Sequence, residues 1–152
     1  MVSAKAASRS TRIRPRNDAP QATRDRMSRQ RSRDTTPEVC LRRQLHTMGH
    51  RFRVAYPVPG LPRRSIDIAF TRRKLAVFID GCFWHSCPEH ATRPKSDDAW
   101  WNAKLQRNVE RDRETDQILM EHGWSVLRIW EHVPTEEAAC LVAQRLNSPP
   151  TT

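Results

Sequence analysis

The residues best suited to chemistry lie in one short stretch, Val77 to His90. It combines an apolar run with carboxylates, two thiols, two imidazoles and a pair of adjacent aromatic rings. The apolar run Leu75 to Ile79 has the length and composition of a buried strand, so the polar residues should follow the C-terminal end of that strand. Such strand ends are where α/β proteins place ligands and reactive groups. The stretch therefore predicts a functional site.

Thiols and imidazoles in this stretch have the spacing of a metal site, Cys-x4-Cys-x2-His, and a further histidine follows the last predicted strand. Thiolate and imidazole are preferred zinc ligands, and structural zinc sites fill four positions. The alternative is a buried cysteine acting as a small hydrophobe, which fits Cys40 and Cys140 on helices without neighbouring ligands. For the other cysteines we favour zinc, with the ligands Cys82, Cys87, His90 and His132.

Carboxylates near predicted strand ends indicate a second metal. Glu38, Asp67 and Asp80 are candidates, with His85 close behind. One or two carboxylates hold Mg²⁺ when substrate phosphates supply the other ligands, and a histidine beside them can deprotonate a water. Each carboxylate can also be a helix cap or a surface charge. Asp67 is the exception, because it lies between two isoleucines in a strand, where a charge is costly.

Two pairs of aromatic residues, Phe83-Trp84 and Trp100-Trp101, lie on a polar loop and at the start of a long helix. Apolar wedges inserted between base steps are one way to open a DNA duplex. Core packing is the alternative, and it is what we expect of Trp124 and Trp130.

Charge is concentrated at the N-terminus. Residues 1–33 carry ten Lys and Arg against two Asp, which leaves 17 basic and 15 acidic residues elsewhere. Residues 1–22 have too few large apolar side chains to order themselves, so we expect a disordered basic tail that either binds phosphates or is simply solvated. Without an apolar leader or membrane-length segment, we expect a cytoplasmic protein whose cysteines are free or metal-bound.

The remaining elements must position these groups. Thr35 or Thr36 is the predicted N-cap of a first helix, with Glu38 placed for a capping box and Gly49 as the stop after Met48. Three strands, a long helix, a strand and a last helix capped by Thr135 follow. Their predicted bounds are Phe52–Tyr56, Ile66–Phe70, Leu75–Ile79, Ser96–Gly123, Trp124–Trp130 and Thr135–Leu146, with a loop at Pro57–Pro62. This order predicts an α/β fold with a mixed sheet flanked by helices, in one domain at residues 23–147, followed by a disordered C-terminus at 148–152.

The long helix carries Asp112 on its predicted apolar stripe, near Leu105, Val109 and Leu119. An unpaired charge on an inward face is costly, so Asp112 needs a partner.

Together these blocks resemble the very-short-patch repair (Vsr-type) DNA mismatch endonucleases. The similarity runs from about Thr23 to Pro134, and its most specific parts are Gly81-Cys82-Phe83-Trp84-His85 and Asn108-Val109-Glu110-Arg111-Asp112-Arg113. The resemblance implies a restriction-endonuclease-like fold that nicks DNA 5′ to the thymine of a T·G mismatch arising from deaminated 5-methylcytosine. It also implies a functional link to a DNA cytosine methyltransferase and to downstream repair proteins, and a bacterial, nucleoid-associated location.

The resemblance also implies roles for single residues. Asp67 would bind Mg²⁺, His85 would be the general base and Asp112 would orient it, while Glu38 would be the acidic residue of the first helix. Zn²⁺ would be structural. The aromatic residues implied to intercalate beside the mismatch are Phe83, Trp84 and Trp101.

Some positions depart from the family pattern. Ile79 stands where Thr can occur, but it is the main-chain carbonyl that meets the metal there. Asp80 stands where His can occur, which adds a carboxylate to the Mg²⁺ set of Asp67, Ile79 and Asp80. The zinc ligands differ in type, so His85 and His90 could exchange roles. A non-catalytic, zinc-stabilised DNA-binding module, or an inactive family member, is the alternative, although such a module has no need of a carboxylate like Asp67.

Overall fold

The computed structural model describes residues 33–82, 85, 87–90 and 99–149, without the side chain of Trp100. The described helices are α1 (Thr36–Thr47), α2 (Ala99–Glu121) and α3 (Thr135–Asn147). The strands are β1 (Arg53–Val58), β2 (Leu61–Phe70), β3 (Leu75–Asp80) and β4 (Ser125–Trp130). The predicted order of elements, αβββαβα, is confirmed.

The four strands form one mixed sheet in the order β1-β2-β3-β4. β1 pairs antiparallel with β2, and β2 pairs antiparallel with β3 across the turn at residues 71–74. β4 pairs parallel with β3, because α2 carries the chain back across the sheet between them. This arrangement is the predicted α/β fold with a mixed sheet.

Side chains alternate across β3, so its residues contribute to two separate cores. One core joins α1 and α3 to one face of the sheet, and its buried residues are Leu41, Leu45, Ile68, Phe70, Leu75, Val77, Ile129, Ala138, Ala139, Val142 and Leu146. The other joins α2 to the sheet, with Val58, Ile66, Ala69, Ala76, Phe78, Leu119 and Trp124. Helices therefore cover both faces, and α2 lies on the face that presents Phe78.

The loop predicted at Pro57–Pro62 is wrong. β1 continues through Pro57 to Val58, and β2 already begins at Leu61, so only Pro59 and Gly60 lie between the strands. Pro57 is tolerated because β1 is an edge strand. Pro62 is tolerated because β2 pairs with β3 only from Ile68 onwards.

The helix ends differ from the predicted caps. Thr35 is the N-cap of α1, but it makes no side-chain cap hydrogen bond, and the predicted capping box is absent. Glu38 instead accepts from the backbone N–H of Asp34, at 2.9 Å. Thr135 is the first residue of α3, whose N-cap is Pro134. Gly49 and Gly123 follow their helices with φ of +85° and +77°, as expected of C-terminal glycines.

Several predictions fall outside the described residues: the tail at 1–22, the domain start at 23, the helix start at Ser96, the last residues 150–152, and the side chains of Phe83 and Trp84. Among the helices that the structure does describe, none is both long and apolar enough to cross a membrane.

Candidate active site and metal centre

A cavity of about 360 Å³ opens at the C-terminal end of β3. It brings together the six predicted residues Glu38, Asp67, Ile79, Asp80, His85 and Asp112. Arginines also line it, namely Arg33, Arg63, Arg64, Arg111 and Arg128. Acidic groups at the base of a cavity with arginines around them can hold a cation and a phosphate next to each other.

Asp67 lies on β2, half-buried, with its Oδ2 accepting from the backbone N–H of Ile79 at 2.9 Å. Burial raises the pKa of Asp67 to about 6. The Ile79 hydrogen bond opposes that shift, whereas the negative charges of Glu38 and Asp80 add to it. The costly mid-strand charge predicted from the sequence is confirmed, and a bound cation would relieve it.

His85 lies beside Asp112, with Nδ1 of the imidazole 2.5 Å from Oδ2 of the carboxylate. Burial by itself would lower the pKa of His85. The hydrogen bond to Asp112 and the charge of Asp80, 3.9 Å away, outweigh burial and raise that pKa above its usual value. The same pairing lowers the pKa of Asp112 against the effect of its own burial. The predicted imidazole partner of Asp112 is confirmed.

Arg128 connects the acidic groups beneath this pair. Its Nη1 donates to both oxygens of Asp80, at 2.9 and 3.1 Å. Its Nη2 donates to Oδ1 of Asp116 at 2.7 Å and lies 3.7 Å from Oδ1 of Asp112. Burial raises the pKa of Asp80, although the charges of Arg128 and His85 act in the opposite direction. Asp80 is therefore already paired with a cationic side chain of the protein.

The strand register explains this arrangement. Phe78 and Arg128 are partners in the parallel β3–β4 pair, and the guanidinium carbon lies 4.5 Å from the Phe78 ring centroid. Asp80 follows Phe78 by two residues and so presents its side chain on the same face. Asp112 and Asp116 are one helical turn apart on α2, which covers that face, and so both reach Arg128.

Glu38 is buried at the edge of the cavity, with only 4% of its surface exposed. Its Oε2 accepts from Asp34 N–H and from Nη2 of Arg42, both at 2.9 Å. Arg42 also pairs with Asp34, at 2.5 Å. The sequence placed Glu38 near the site but missed Arg42, which neutralises it.

The four predicted zinc ligands lie together beyond the end of the sheet. The ligand atoms of Cys82, Cys87, His90 and His132 are all within 4.8 Å of one another. Sγ of Cys82 lies 3.1 Å from Nδ1 of His132, and Sγ of Cys87 lies 3.8 Å from the same nitrogen and 3.9 Å from Nδ1 of His90. Ligands of a tetrahedral zinc ion are separated by about 3.3 to 3.8 Å, so this donor set fits zinc in type, and a small adjustment of its spacing would complete a tetrahedron.

Neighbouring groups hold the cluster in place. The backbone N–H of Cys82 donates to Oε1 of Glu131 at 2.9 Å, and Nε2 of His132 lies 3.5 Å from Oε2 of Glu89. Burial raises the pKa of the Cys82 thiol. At Cys87 burial acts in the same direction, but backbone hydrogen bonds at Glu89 and His90 outweigh it and lower the pKa. A carboxylate behind a histidine is a frequent feature of metal sites.

Cys40 and Cys140 lie outside this cluster, and none of the four cysteines, all of which the structure describes, forms a disulfide. Cys40 is half-buried, but Cys140 is exposed, so its interpretation as a buried hydrophobe is wrong. The exposed face of α3 carries it.

The described tryptophans differ in their surroundings. Trp124 is part of the core that α2 covers, as predicted. Trp130 is half-buried and belongs to neither described core cluster, so the core position predicted for it is wrong. Trp101 is only 6% exposed yet also lies outside both clusters, and Nζ of Lys104 is 5.8 Å from its ring centroid.

Comparison with known proteins identifies the family of the chain. A family model described as DNA mismatch endonuclease Vsr matches residues 18–90. The type II nicking enzyme V.NaeI of Lentzea aerocolonigenes is 44% identical over 124 residues, which are 80% of this chain and 74% of the relative. The chain belongs to the Vsr family.

Two further Vsr-family relatives extend the comparison. The type II nicking enzyme V.XorIIP of Xanthomonas oryzae pv. oryzae is 37% identical over 118 residues, 74% of this chain and 82% of the relative. The DNA mismatch endonuclease Vsr of Escherichia coli K12 is 36% identical over 102 residues, 66% of this chain and 63% of the relative. The expected family is confirmed, and with it the activity of a DNA endonuclease.

Sequence reasoning missed Arg128 in this Vsr-family site. One signal was present, because Arg128 is the single charged residue between Ser125 and Trp130 in a strand that is otherwise apolar. A charge in such a strand needs a partner, and the inward-facing Asp112 and Asp116 of the preceding helix were the nearest candidates.

Proposed function

We propose that this Vsr-family endonuclease nicks duplex DNA 5′ to the thymine of a T·G mismatch, the lesion left when 5-methylcytosine deaminates. The nick would begin very short patch repair and would follow the action of a cytosine methyltransferase. The observation that carries the catalytic part is the His85–Asp112 pair, which opens into the same cavity as Asp67. A restriction-endonuclease-like fold is part of the proposal, and the mixed sheet with helices on both faces supports it.

His85 is the proposed general base. With Asp112 accepting from Nδ1–H, the neutral imidazole keeps its lone pair on Nε2, where it can accept a proton from the attacking water. Asp112 fixes this tautomer and stabilises the imidazolium that forms. This division of roles is the same as in other carboxylate–histidine pairs.

Asp67 and the main-chain carbonyl of Ile79 are the proposed Mg²⁺ ligands. The site fits a divalent cation, because Asp67 is a partly desolvated carboxylate beside two further negative charges. Bound Mg²⁺ would neutralise charge on the scissile phosphate. Asp80 remains a predicted ligand, but both of its oxygens already accept from Arg128, so binding a metal there requires the guanidinium to move.

Arginines around the cavity are proposed to hold the DNA backbone. Nη1 of Arg64 donates to Thr115 Oγ1 at 2.9 Å, and its Nη2 donates to Glu114 at 2.6 Å, so α2 orients its guanidinium. Arg33 and Arg63 line the cavity at exposed positions. Guanidinium groups bind phosphate oxygens in a bidentate manner, which would orient the scissile bond towards His85.

Zinc is proposed to be structural, bound by Cys82, Cys87, His90 and His132. These four ligands leave no open position for substrate. They tie the residues after β3 to the residues after β4, and His85 lies between the first two ligands in the chain. The same connection would aim Phe83 and Trp84, the proposed wedge, at the mismatch. Trp101, the third predicted member, is only 6% exposed and would have to leave its buried position to join them.

A purely DNA-binding role, the alternative from the sequence, has less support. Binding DNA needs neither a desolvated carboxylate at Asp67 nor a carboxylate-oriented imidazole at His85. Both lie in one cavity here, so catalysis accounts for more of the structure.

The proposal is tested with three duplexes of one sequence that differ only in a central T·G, T·A or C·G pair. Each strand is labelled in turn, and the nick is mapped with Mg²⁺ and with excess chelator. We expect a single nick 5′ to the mismatched thymine, with Mg²⁺ only. Equal cleavage of all three duplexes would refute the mismatch specificity, and cleavage in chelator would refute the metal requirement.

A further inference from the structure

A second cavity lies at the opposite end of the sheet from the catalytic one. We call it the distal groove and define it by His50–Arg53, Phe70–Arg73, Leu146 and Asn147. Its volume is about 530 Å³. Arg51, Arg53, Arg72 and Arg73 line it, and none of its lining residues is acidic. A smaller cavity of about 180 Å³ shares Arg72 and Arg73 with the groove and adds Arg145, again without an acidic residue.

Arginines of the groove lack carboxylate partners, unlike three arginines elsewhere in the domain, and they share this with the exposed Arg43 and Arg113 outside the groove. Arg42, Arg64 and Arg128 each pair with a carboxylate. Within the described part of the chain, Arg53, Arg72, Arg73 and Arg145 show no side-chain hydrogen bond or ion pair. Arg51 reaches only His46, at 3.5 Å.

Such a concentration of unpaired charge is notable because residues 34–152 are nearly balanced, with 17 basic and 15 acidic residues. The balance means that acidic side chains were available, yet they lie elsewhere. Guanidinium groups that repel one another gain most from an anion with several oxygens, and a row of phosphates is such an anion. Thr71 and Asn147 add neutral hydrogen-bond donors to the lining.

The position of the groove argues against the DNA being cut as its occupant. The groove surrounds the β2–β3 turn, before β3 begins, whereas Asp80 and His85 lie where β3 ends. Six strand residues separate the two ends by about 17 Å. A duplex seated across the C-terminal end of β3 would leave the groove, at the other end of the strand, uncovered.

We propose that the distal groove binds the phosphate backbone of a second segment of duplex DNA, so that one protein molecule holds two segments at once. Backbone contacts of this kind carry no sequence preference. The groove would therefore accept matched DNA while the catalytic cavity holds the mismatch, and it would let the enzyme pass from one segment to another during its search. The inference rests on the proposed function only in that the catalytic cavity holds DNA.

The test uses the full chain loaded on an immobilised T·G duplex in chelator, so that no nicking occurs. A fluorescent matched duplex is then added, and its capture is measured. The wild type should capture it, and Arg72→Gln/Arg73→Gln should capture about tenfold less, because two charge-assisted contacts are lost. The control Arg43→Gln/Arg113→Gln removes two exposed arginines outside the groove and should capture as the wild type does.

Nicking of a short T·G duplex provides the second readout, and the groove variant should nick at the wild-type rate. No capture by the wild type, or equal capture by the groove variant, would overturn the proposal; the latter would point to the tail or to a second copy of the chain. Loss of nicking together with capture would also overturn it, because Arg72 and Arg73 would then serve the catalytic complex. Indiscriminate nicking of matched duplexes would count against the proposed mismatch specificity without affecting the capture result.

Discussion

Arg128 on β4 donates through Nη1 to both carboxylate oxygens of Asp80 on β3, at 2.9 and 3.1 Å. Asp80 is only 5% exposed, so this guanidinium is what compensates its desolvated charge. Asp80 in turn lies 3.9 Å from Nδ1 of His85. The proposed general base, His85, therefore lies between Asp112 and Asp80, and Arg128 compensates the charge of Asp80.

Replacing Arg128 by Gln should destabilise the fold by about 3 kcal/mol, the lower end for breaking a buried ion pair, because its side chain remains partly exposed. The double variant Asp80→Asn/Arg128→Gln should regain part of that loss, since Asp80, the most buried carboxylate paired with Arg128, is then neutral, while the less buried Asp116 still lacks its cation. Urea unfolding measures both free energies. Arg113→Gln, at an exposed position on α2, is the control and should change stability by no more than about 0.5 kcal/mol. A double variant no more stable than Arg128→Gln would show that Asp80 is not the group that needs Arg128.

Asp67→Asn should abolish nicking and stabilise the metal-free protein at pH 7. Burial raises the folded-state pKa of Asp67 from 3.8 to about 6, so the proton contributes stability below pH 3.8 that is lost as the pH rises through 6. At pH 7 the charged carboxylate therefore costs about 1 to 3 kcal/mol, which Asn avoids. The difference in unfolding free energy between variant and wild type should disappear near pH 3.

Mg²⁺ gives this prediction a second readout. Because the ion binds the folded wild type, it should raise the melting temperature of the wild type and leave Asp67→Asn unchanged. Glu110→Gln, which removes an exposed carboxylate from α2, should respond to Mg²⁺ as the wild type does. Equal stabilisation of wild type and Asp67→Asn by Mg²⁺ would place the ion elsewhere.

His85→Ala should lower the nicking rate by about 100-fold or more, while DNA affinity changes little. A base must be neutral, and Asp112 and Asp80 raise the pKa of His85 above 6.5, so wild-type nicking should fall as the pH drops through a midpoint above 6.5. Asp112→Asn should lower the rate in part and move that midpoint to lower pH. His46→Ala, an exposed histidine on α1, is the control. If His85→Ala instead released zinc and unfolded the protein, the roles assigned to His85 and His90 would have to be exchanged.

Local patterns predicted the elements that place the site. The apolar run of β3, the glycine after α2 and the alternation of β1 each depend on nearest neighbours in the chain, so their types and most of their bounds follow from periodicity. Pro57 and Pro62 misled because the cost of a strand proline depends on which edge of the strand is paired, which is decided by partners far away in sequence.

Charge partners were harder to predict than charged residues. Asp112 could be recognised as needing a partner, but Arg128 is 16 positions away and meets it only because β4 lies parallel to β3 under α2. Glu38 was interpreted as a cap, and its local i,i+4 partner was overlooked. Arg42, one helical turn later, gives it a stronger interaction than Thr35 would.

One equivalent of Zn²⁺ should remain after a chelator has removed loosely bound metal, because a closed site of four ligands releases its ion slowly. Cys87→Ser should lose the zinc and lower the melting temperature. Cys140→Ser is the matched control, since that thiol is exposed on α3 and lies outside the cluster, and Cys40→Ser is a second one. Zinc loss in either control would show that the wrong thiols had been assigned.

Trp84→Ala should reduce the preference for T·G over T·A duplexes, whereas deletion of residues 1–22 should weaken binding to both equally. The reason is that an intercalating ring gains most where stacking is already weakened, while basic residues of the tail meet only backbone phosphates. Trp124→Phe, in the core that α2 covers, is the control for loss of a tryptophan and should keep the preference. Competition binding at two salt concentrations measures both effects, and the tail deletion should also flatten the salt dependence. If Trp84→Ala kept its discrimination while the tail deletion lost it, recognition of the mismatch would belong to the tail and the aromatic wedge would be wrong.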